Sequence, residues 1–191
     1  MRNLDYTRWM EPLARPVHAS PVAMVSLVVL LWIATGGGTA FAQVDESDAG
    51  IDTILDLINE ARSTEQQCGD EMFAAQPPLE WSDPLETAAN AHVQDMSERD
   101  FFSHTNPDGE SSGDRIRSVS SAFQATGENI ARGQSNAEQV MESWMSSPGH
   151  CANIMSDSFT HVAVGAAMGT MERNGNQSEA LHWTMKLGRE R

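Results

Sequence analysis

The sequence is short of basic charge. Twelve lysines and arginines stand against 27 aspartates and glutamates, a formal net charge of −15 at pH 7. Such a surface repels nucleic acid and anionic membranes, and favours solubility, cationic partners or metal ions. Cysteine is scarcer still, with only Cys68 and Cys151. There is no H-E-x-x-H or C-x-x-C to anchor a metal site on spacing alone, and no G-x-S-x-G to mark a serine nucleophile. Internal repeats are absent. Aromatic content is 6%, too little to suggest a lipid platform, and Trp81, Trp144 and Trp183 are expected in the core. The longest apolar run, Val22 to Ala34 ("VAMVSLVVLLWIA"), has signal-peptide length and is too short to span a bilayer comfortably.

What is present gives that run a meaning. Arg2, Arg8 and Arg15 precede it, and small residues with Ala40-Phe41-Ala42 follow, a good A-x-A cleavage site. Residues 1–42 are therefore expected to be a signal peptide, the alternative being an uncleaved anchor. The chain is expected to be secreted, to the medium or a periplasm, with no stable membrane insertion after cleavage. Three basic and two acidic residues lie in this leader, which leaves 9 against 25 in a mature chain of 149 residues, a net of −16. That length suits one domain with a proper core. Residues 43–50 ("QVDESDAG") form a polar lead-in, and 51–191 the domain. In a secreted chain, two cysteines are most simply one disulfide, Cys68 to Cys151. The competing reading makes Cys151 a nucleophile served by the adjacent His150.

Apolar periodicity predicts a first helix from Ile51 to about Gln66, through Ile54, Leu55, Ile58 and Ala61. A second starts at Asp83 as N-cap, with Pro84 and Glu86 behind it, and runs to about Arg99. "HTNPDGESSGD" is turn chemistry, followed by a short amphipathic piece over Arg115–Val119. "GENIARG" reads equally as loop or short strand. A third helix opens on Ser135-x-x-Glu138 and stops at Pro148-Gly149. Two alternating segments, "FTHVAVGAAMG" and "EALHWTMKLG", end the chain as strands joined by a loose nine-residue connection. Helices first and a hairpin last indicate an α+β fold.

Five histidines lie outside the leader. His92 falls on the buried stripe of the second helix, and His161 and His182 fall within the final strands, so structural roles are expected for all three. His104 and His150 follow helix ends in turn-rich sequence, where a side chain can enter a cleft. Glu128 stands between a glycine and an asparagine in an otherwise apolar stretch. Spacing alone does not join these three residues.

The order of the pieces does. "LEWSDPLETAANAHVQDM", "FFSH", "GENIA", "SWMSSPGH", "FTHVAVG" and "HWTMKLG" together resemble the CAP superfamily (cysteine-rich secretory, antigen 5 and pathogenesis-related 1 proteins), and in particular its bacterial SCP-like secreted members. The resemblance covers Ile51 to Gly188. It implies a three-layer α-β-α sandwich with a central antiparallel sheet and an open cleft lined by two histidines and two glutamates. By position, His104, Glu128 and His150 match that set, with Zn²⁺ as the implied metal. The second glutamate is replaced, three residues after Trp144, by Ser147. Three functions follow from the resemblance. One is a binding module for a small-molecule, lipid, cell-wall or protein ligand or a divalent metal. The second is a zinc-dependent hydrolase, which the missing glutamate disfavours. The third is a structural module acting through surface loops such as Asn106–Asp114.

Overall fold

The computed structural model describes residues 49–191; the expected leader and nearly all of the lead-in lie outside them. The first helix, α1 (Ile51–Arg62), buries Ile51, Ile54, Ile58 and Arg62 along one stripe. It ends four residues before the expected boundary because Gln66–Cys68 is taken up as a strand. This β1 pairs antiparallel with β2 (Glu71–Phe73). Gly69 turns the hairpin with φ +66°, and a Cβ there would meet Pro148 at 2.9 Å, so both backbone and space require glycine. Arg62 is buried, and its guanidinium donates to the carbonyls of Pro77, Ile154 and Ser156, tying three segments together.

β3 (Glu80–Trp81) leads into α2 (Asp83–Glu98), whose N-cap is Ser82, one residue ahead of the expected Asp83. Asp83 and Glu86 instead occupy the first turn, where acidic side chains favour the helix dipole. α3 (Ser112–Val119) starts earlier than its apolar residues suggest, because Ser111 and Asp114 form a reciprocal capping box. β4 (Phe123–Arg132) resolves the ambiguous "GENIARG" as strand. α4 (Ala137–Ser146) is capped by Asn136, which accepts from the Gln139 N–H, rather than by Ser135.

Pro148-Gly149 ends α4 as expected but opens another helix, α5 (Pro148–Met155). A proline without an N–H suits the first turn, where that donor would have no partner. The last two strands, β5 (His161–Arg173) and β6 (Asn176–Glu190), are longer than their apolar alternation shows. They meet in a tight two-residue turn, with Asn174 at φ 54° and Gly175 at φ 78°. Asn-Gly is the favoured pair for such a turn, and polar residues extend the ladder beyond the apolar pattern.

The main sheet runs β3-β5-β6-β4, with β3 parallel to β5 and the other neighbours antiparallel. Strand alternation divides its faces. Val162, Val164, Leu181, Trp183, Met185 and Leu187 pack with α1, α4 and α5 in the larger core. Ala163, Ile130 and Phe123 face α2 and α3 with Leu85, Ala88, Val93, Met96 and Ile116. Helices thus cover both faces of a mostly antiparallel sheet, as expected for the α-β-α sandwich. Trp144 and Trp183 are fully buried, and Trp81 is half-buried with its indole N–H on Glu86.

Candidate functional site

Register builds the site. β4 and β6 place Glu128 opposite Lys186, with both side chains on the α2–α3 face. The Glu128 side chain is only 3% exposed and Lys186 is completely buried. The Lys186 ammonium donates to Oε2 of Glu128 and, at 2.9 Å, to the Ser112 hydroxyl at the start of α3. Arg115, 8% exposed, donates from Nη2 to the same carboxylate oxygen at 3.0 Å. Its remaining reach holds the loop after α2, through the carbonyls of His104 at 2.8 Å and Glu110 at 2.7 Å.

The other carboxylate oxygen faces outward. Oε1 accepts from Nδ1 of His104 at 2.6 Å, and the His104 side chain is 57% exposed. An ionised carboxylate only accepts, so the proton in this bond sits on Nδ1 of His104, the tautomer that in the neutral ring puts the lone pair on Nε2. Burial alone would raise the Glu128 pKa. The Lys186 charge and hydrogen bond, with the His104 hydrogen bond, outweigh it and hold the carboxyl down to about 2. Burial pushes Lys186 the other way, down to about 8, against the pull of Glu128.

His92 lies beneath this pair. It is fully buried on α2, and its Nε2 donates to the Ser103 carbonyl at 3.1 Å, 3.9 Å from Glu128 Oε2. Burial, opposed by Glu128, lowers its pKa to about 4, so it is neutral at pH 7. The expected structural role for His92 therefore extends to holding the loop that carries His104.

His150 is the third residue of α5 and half-buried, so it stands within a helix rather than in the turn expected from sequence. Its carbonyl accepts from Asn129 Nδ2 at 3.1 Å, and Asn153 Nδ2 donates to Asn129 Oδ1 at 2.8 Å, which fixes α5 beside Glu128 on β4. Burial, and then the charge His104 carries when it is protonated, lower the His150 pKa. Cys151 follows it and forms the disulfide with Cys68, with Cα atoms 5.4 Å apart. No free cysteine occurs among the described residues. This leaves no thiol nucleophile and fastens α5 to the β1–β2 hairpin.

Ser147 joins α4 to α5. It is half-buried, its carbonyl accepts from the Cys151 N–H, and its side chain caps neither helix. It makes no hydrogen bond to His104, Glu128 or His150. Among the described residues no three His, Cys, Asp or Glu side chains converge as a metal cage. Glu128 instead acts as the acceptor that orients the His104 imidazole. Both oxygens of Glu128 are already engaged.

Lys186 and Arg115 were not among the residues that sequence singled out. Lys186 interrupts the apolar alternation of β6 on its opposite face, a visible signal whose partner only the register supplies. The loop Asn106–Glu110 is ordered rather than free. Asn106 is buried and its Oδ1 accepts from the N–H groups of Asp108 and Glu110. His161 and His182 stay outside the site, His161 against Thr160 and Phe123 and His182 beside Phe102.

The family model for CAP, the cysteine-rich secretory protein family, matches residues 55–187. Two curated relatives from Bacillus subtilis match about half of the chain. The uncharacterized protein YkwD is 40% identical over 88 residues, and the uncharacterized membrane protein YlbC is 36% identical over 87. The matches span only 34% and 25% of those proteins, each covering 46% of this chain. Among solved structures, an extracellular SCP-domain protein of Bacillus anthracis aligns at TM-score 0.55 and 26% identity, over 73% of this chain and 40% of that one. An outer surface protein of Borrelia burgdorferi shares the fold at TM-score 0.56 and 18% identity, over 79% of this chain and 99% of its own.

Proposed function

Because the chain belongs to the CAP, or cysteine-rich secretory protein, family, we propose that it is a secreted binding module. Its cleft captures a divalent cation, with Zn²⁺ the first candidate, or a ligand held through one, and breaks no bond. His104 and His150 present the imidazoles, and Glu128 orients His104. When bound, such a cation supplies Lewis acidity to whatever small molecule, cell-wall fragment, lipid headgroup or partner side chain completes its coordination.

One observation carries the preference for binding over hydrolysis. Glu128 accepts from His104 on one oxygen and from Lys186 and Arg115 on the other, with its pKa held down to about 2. A general base for water must have an affinity for protons near the working pH. Glu128 has none, and Ser147 stands where a second carboxylate would offer one. Secretion rests on the sequence features of residues 1–42, on the extracellular and outer-surface names of two structural relatives, and on the finding that no helix among the described residues is long and apolar enough to cross a membrane.

Calorimetric titration of zinc into the mature domain, beside His104→Ala and His150→Ala, tests the reading. Binding at micromolar or better that each substitution removes, with no chelator-sensitive hydrolysis of peptide or ester substrates, is the expected result. Heat unchanged by either substitution would refute a shared cleft site.

A further inference from the structure

We infer that His182 and the Phe102 ring beside it form an acid-operated catch, in which a proton on the imidazole drives the segment Asp100–Phe102 off the sheet. His182 stands on the polar face of β6 and is 1% exposed. Its ring lies against β5 and the end of α2, and it fits because position 169 is glycine. A Cβ there would meet His182 Nδ1 at 2.5 Å and the Ser97 Cβ at 2.8 Å. Neither ring nitrogen has a hydrogen-bond partner among the described residues. The niche therefore admits a neutral imidazole by shape, but offers no acceptor for the two N–H groups of a charged one.

Little covers this niche. The Phe102 ring centroid lies 6.3 Å from that of His182, and the Arg132 guanidinium stands over the Phe102 ring, 4.7 Å from its centroid. Phe102 is itself 38% exposed. It can swing into water without disturbing the ladder that holds His182 between Arg132 and Ala167. Asp100 has a left-handed backbone, φ 50°, uncommon for a residue with a side chain, and accepts from the Thr170 hydroxyl at 2.8 Å.

Two charged groups face the imidazole, Arg132 from β4 and Asp100 from the segment after α2, while α2 and β5 present uncharged Ser97 and Gly169. Protonation sets His182 against Arg132 and toward Asp100. The first force loosens the stack of Arg132 on Phe102, and the second draws Asp100 from Thr170. Burial and then Arg132 push the His182 pKa down, with Asp100 opposing. The closed form is thus favoured above the ordinary imidazole value of about 6.5 and loses ground as pH falls below it. Because the segment leads into His104, acidity loosens the chain that presents that histidine, whatever His104 meets.

The test is an NMR titration of the mature domain from pH 7 to 5, following the His182 ring protons and their nuclear Overhauser contacts with the Phe102 ring. The contacts should fade as His182 titrates, both with one midpoint below 6.5, while the domain stays folded by its melting curve. The open population should rise by up to about tenfold per pH unit, the linkage of one proton. Arg132→Gln should move the midpoint up, and Asp100→Asn should move it down. In His182→Phe, whose ring takes no proton, the Phe102 resonances should hold steady to pH 5; His182→Gln replaces it if that variant fails to fold. A His182 that titrates with its Phe102 contacts intact, or stays neutral until the whole domain unfolds, would overturn the catch. So would Phe102 resonances that move over the same pH range in the non-titrating variant.

Discussion

The two faces of β6 are made by one strand and obey different rules. On one face Leu181, Trp183, Met185 and Leu187 close against α1, α4 and α5 without a charge among them. On the other, His182, Thr184 and Lys186 alternate under α2 and α3, and Lys186 meets Glu128 and Arg115. Burial on the first face is favourable residue by residue. On the second, each buried charge is tolerable only while its partners are present, because desolvation costs nearly as much as pairing returns. The apolar face makes the fold, and the polar face places a histidine.

Substitutions that separate the two rules show the largest effects. Trp183→Ala should cost about 3–5 kcal/mol by leaving a cavity. Glu128→Ala should cost a similar amount, about 3–5 kcal/mol, by leaving Lys186 and Arg115 buried without their anion. The two differ in how they are rescued. Adding Lys186→Met to Glu128→Ala should recover part of the loss, whereas the same addition to Trp183→Ala should deepen it, because Glu128 then loses its lysine; chemical denaturation of the four variants checks this.

The disulfide bridges residues 83 apart in sequence. Replacing both cysteines by serine should lower stability by about 4–5 kcal/mol on loop entropy, within a usual range of about 2–5. It should also weaken zinc binding, since α5 carries His150. Melting and calorimetry of that variant measure the two consequences separately.

Acid should act mainly through the polar face. His92 is lowered in the folded state to about 4 from 6.5, so the unfolded chain binds the extra proton between those values. Stability is then present above about 6.5 and is lost as pH falls through that window, by up to about 3 kcal/mol. Glu128, lowered from 4.5 to about 2, adds a loss of the same sign below about 4.5. A variant that folds with His92→Phe should show a flatter profile between pH 4 and 6.5. The smallest effect on stability belongs to His104→Ala, below about 1 kcal/mol for so exposed a side chain, together with complete loss of zinc binding.

The helices, the closing hairpin and the α+β class were legible because each rests on a local pattern, apolar periodicity or capping and turn residues. The boundaries that shifted did so where two local signals competed, as at Ser82 against Asp83 or Asn136 against Ser135. Pro148 is the instructive case, since the same residue ends one helix and suits the first turn of the next. At the site, the sequence pointed to His104, Glu128 and His150 through family likeness, while Lys186, Arg115 and His92 escaped. Their importance lies in pairing across 58, 13 and 36 positions, which strand register and helix packing create and no local pattern encodes.

The central claim is that a fixed, ionised Glu128 holds His104 with its proton on Nδ1 and its Nε2 lone pair free for a cation. Long-range ¹H–¹⁵N spectra of the imidazoles, recorded at pH 7 before and after zinc, read this directly. The account predicts an Nδ1–H tautomer for His104 in the free domain and a zinc-induced shift at Nε2 of His104, accompanied by a shift of a ring nitrogen of His150. An Nε2–H tautomer in the free domain, or zinc shifts confined to other histidines, would contradict it.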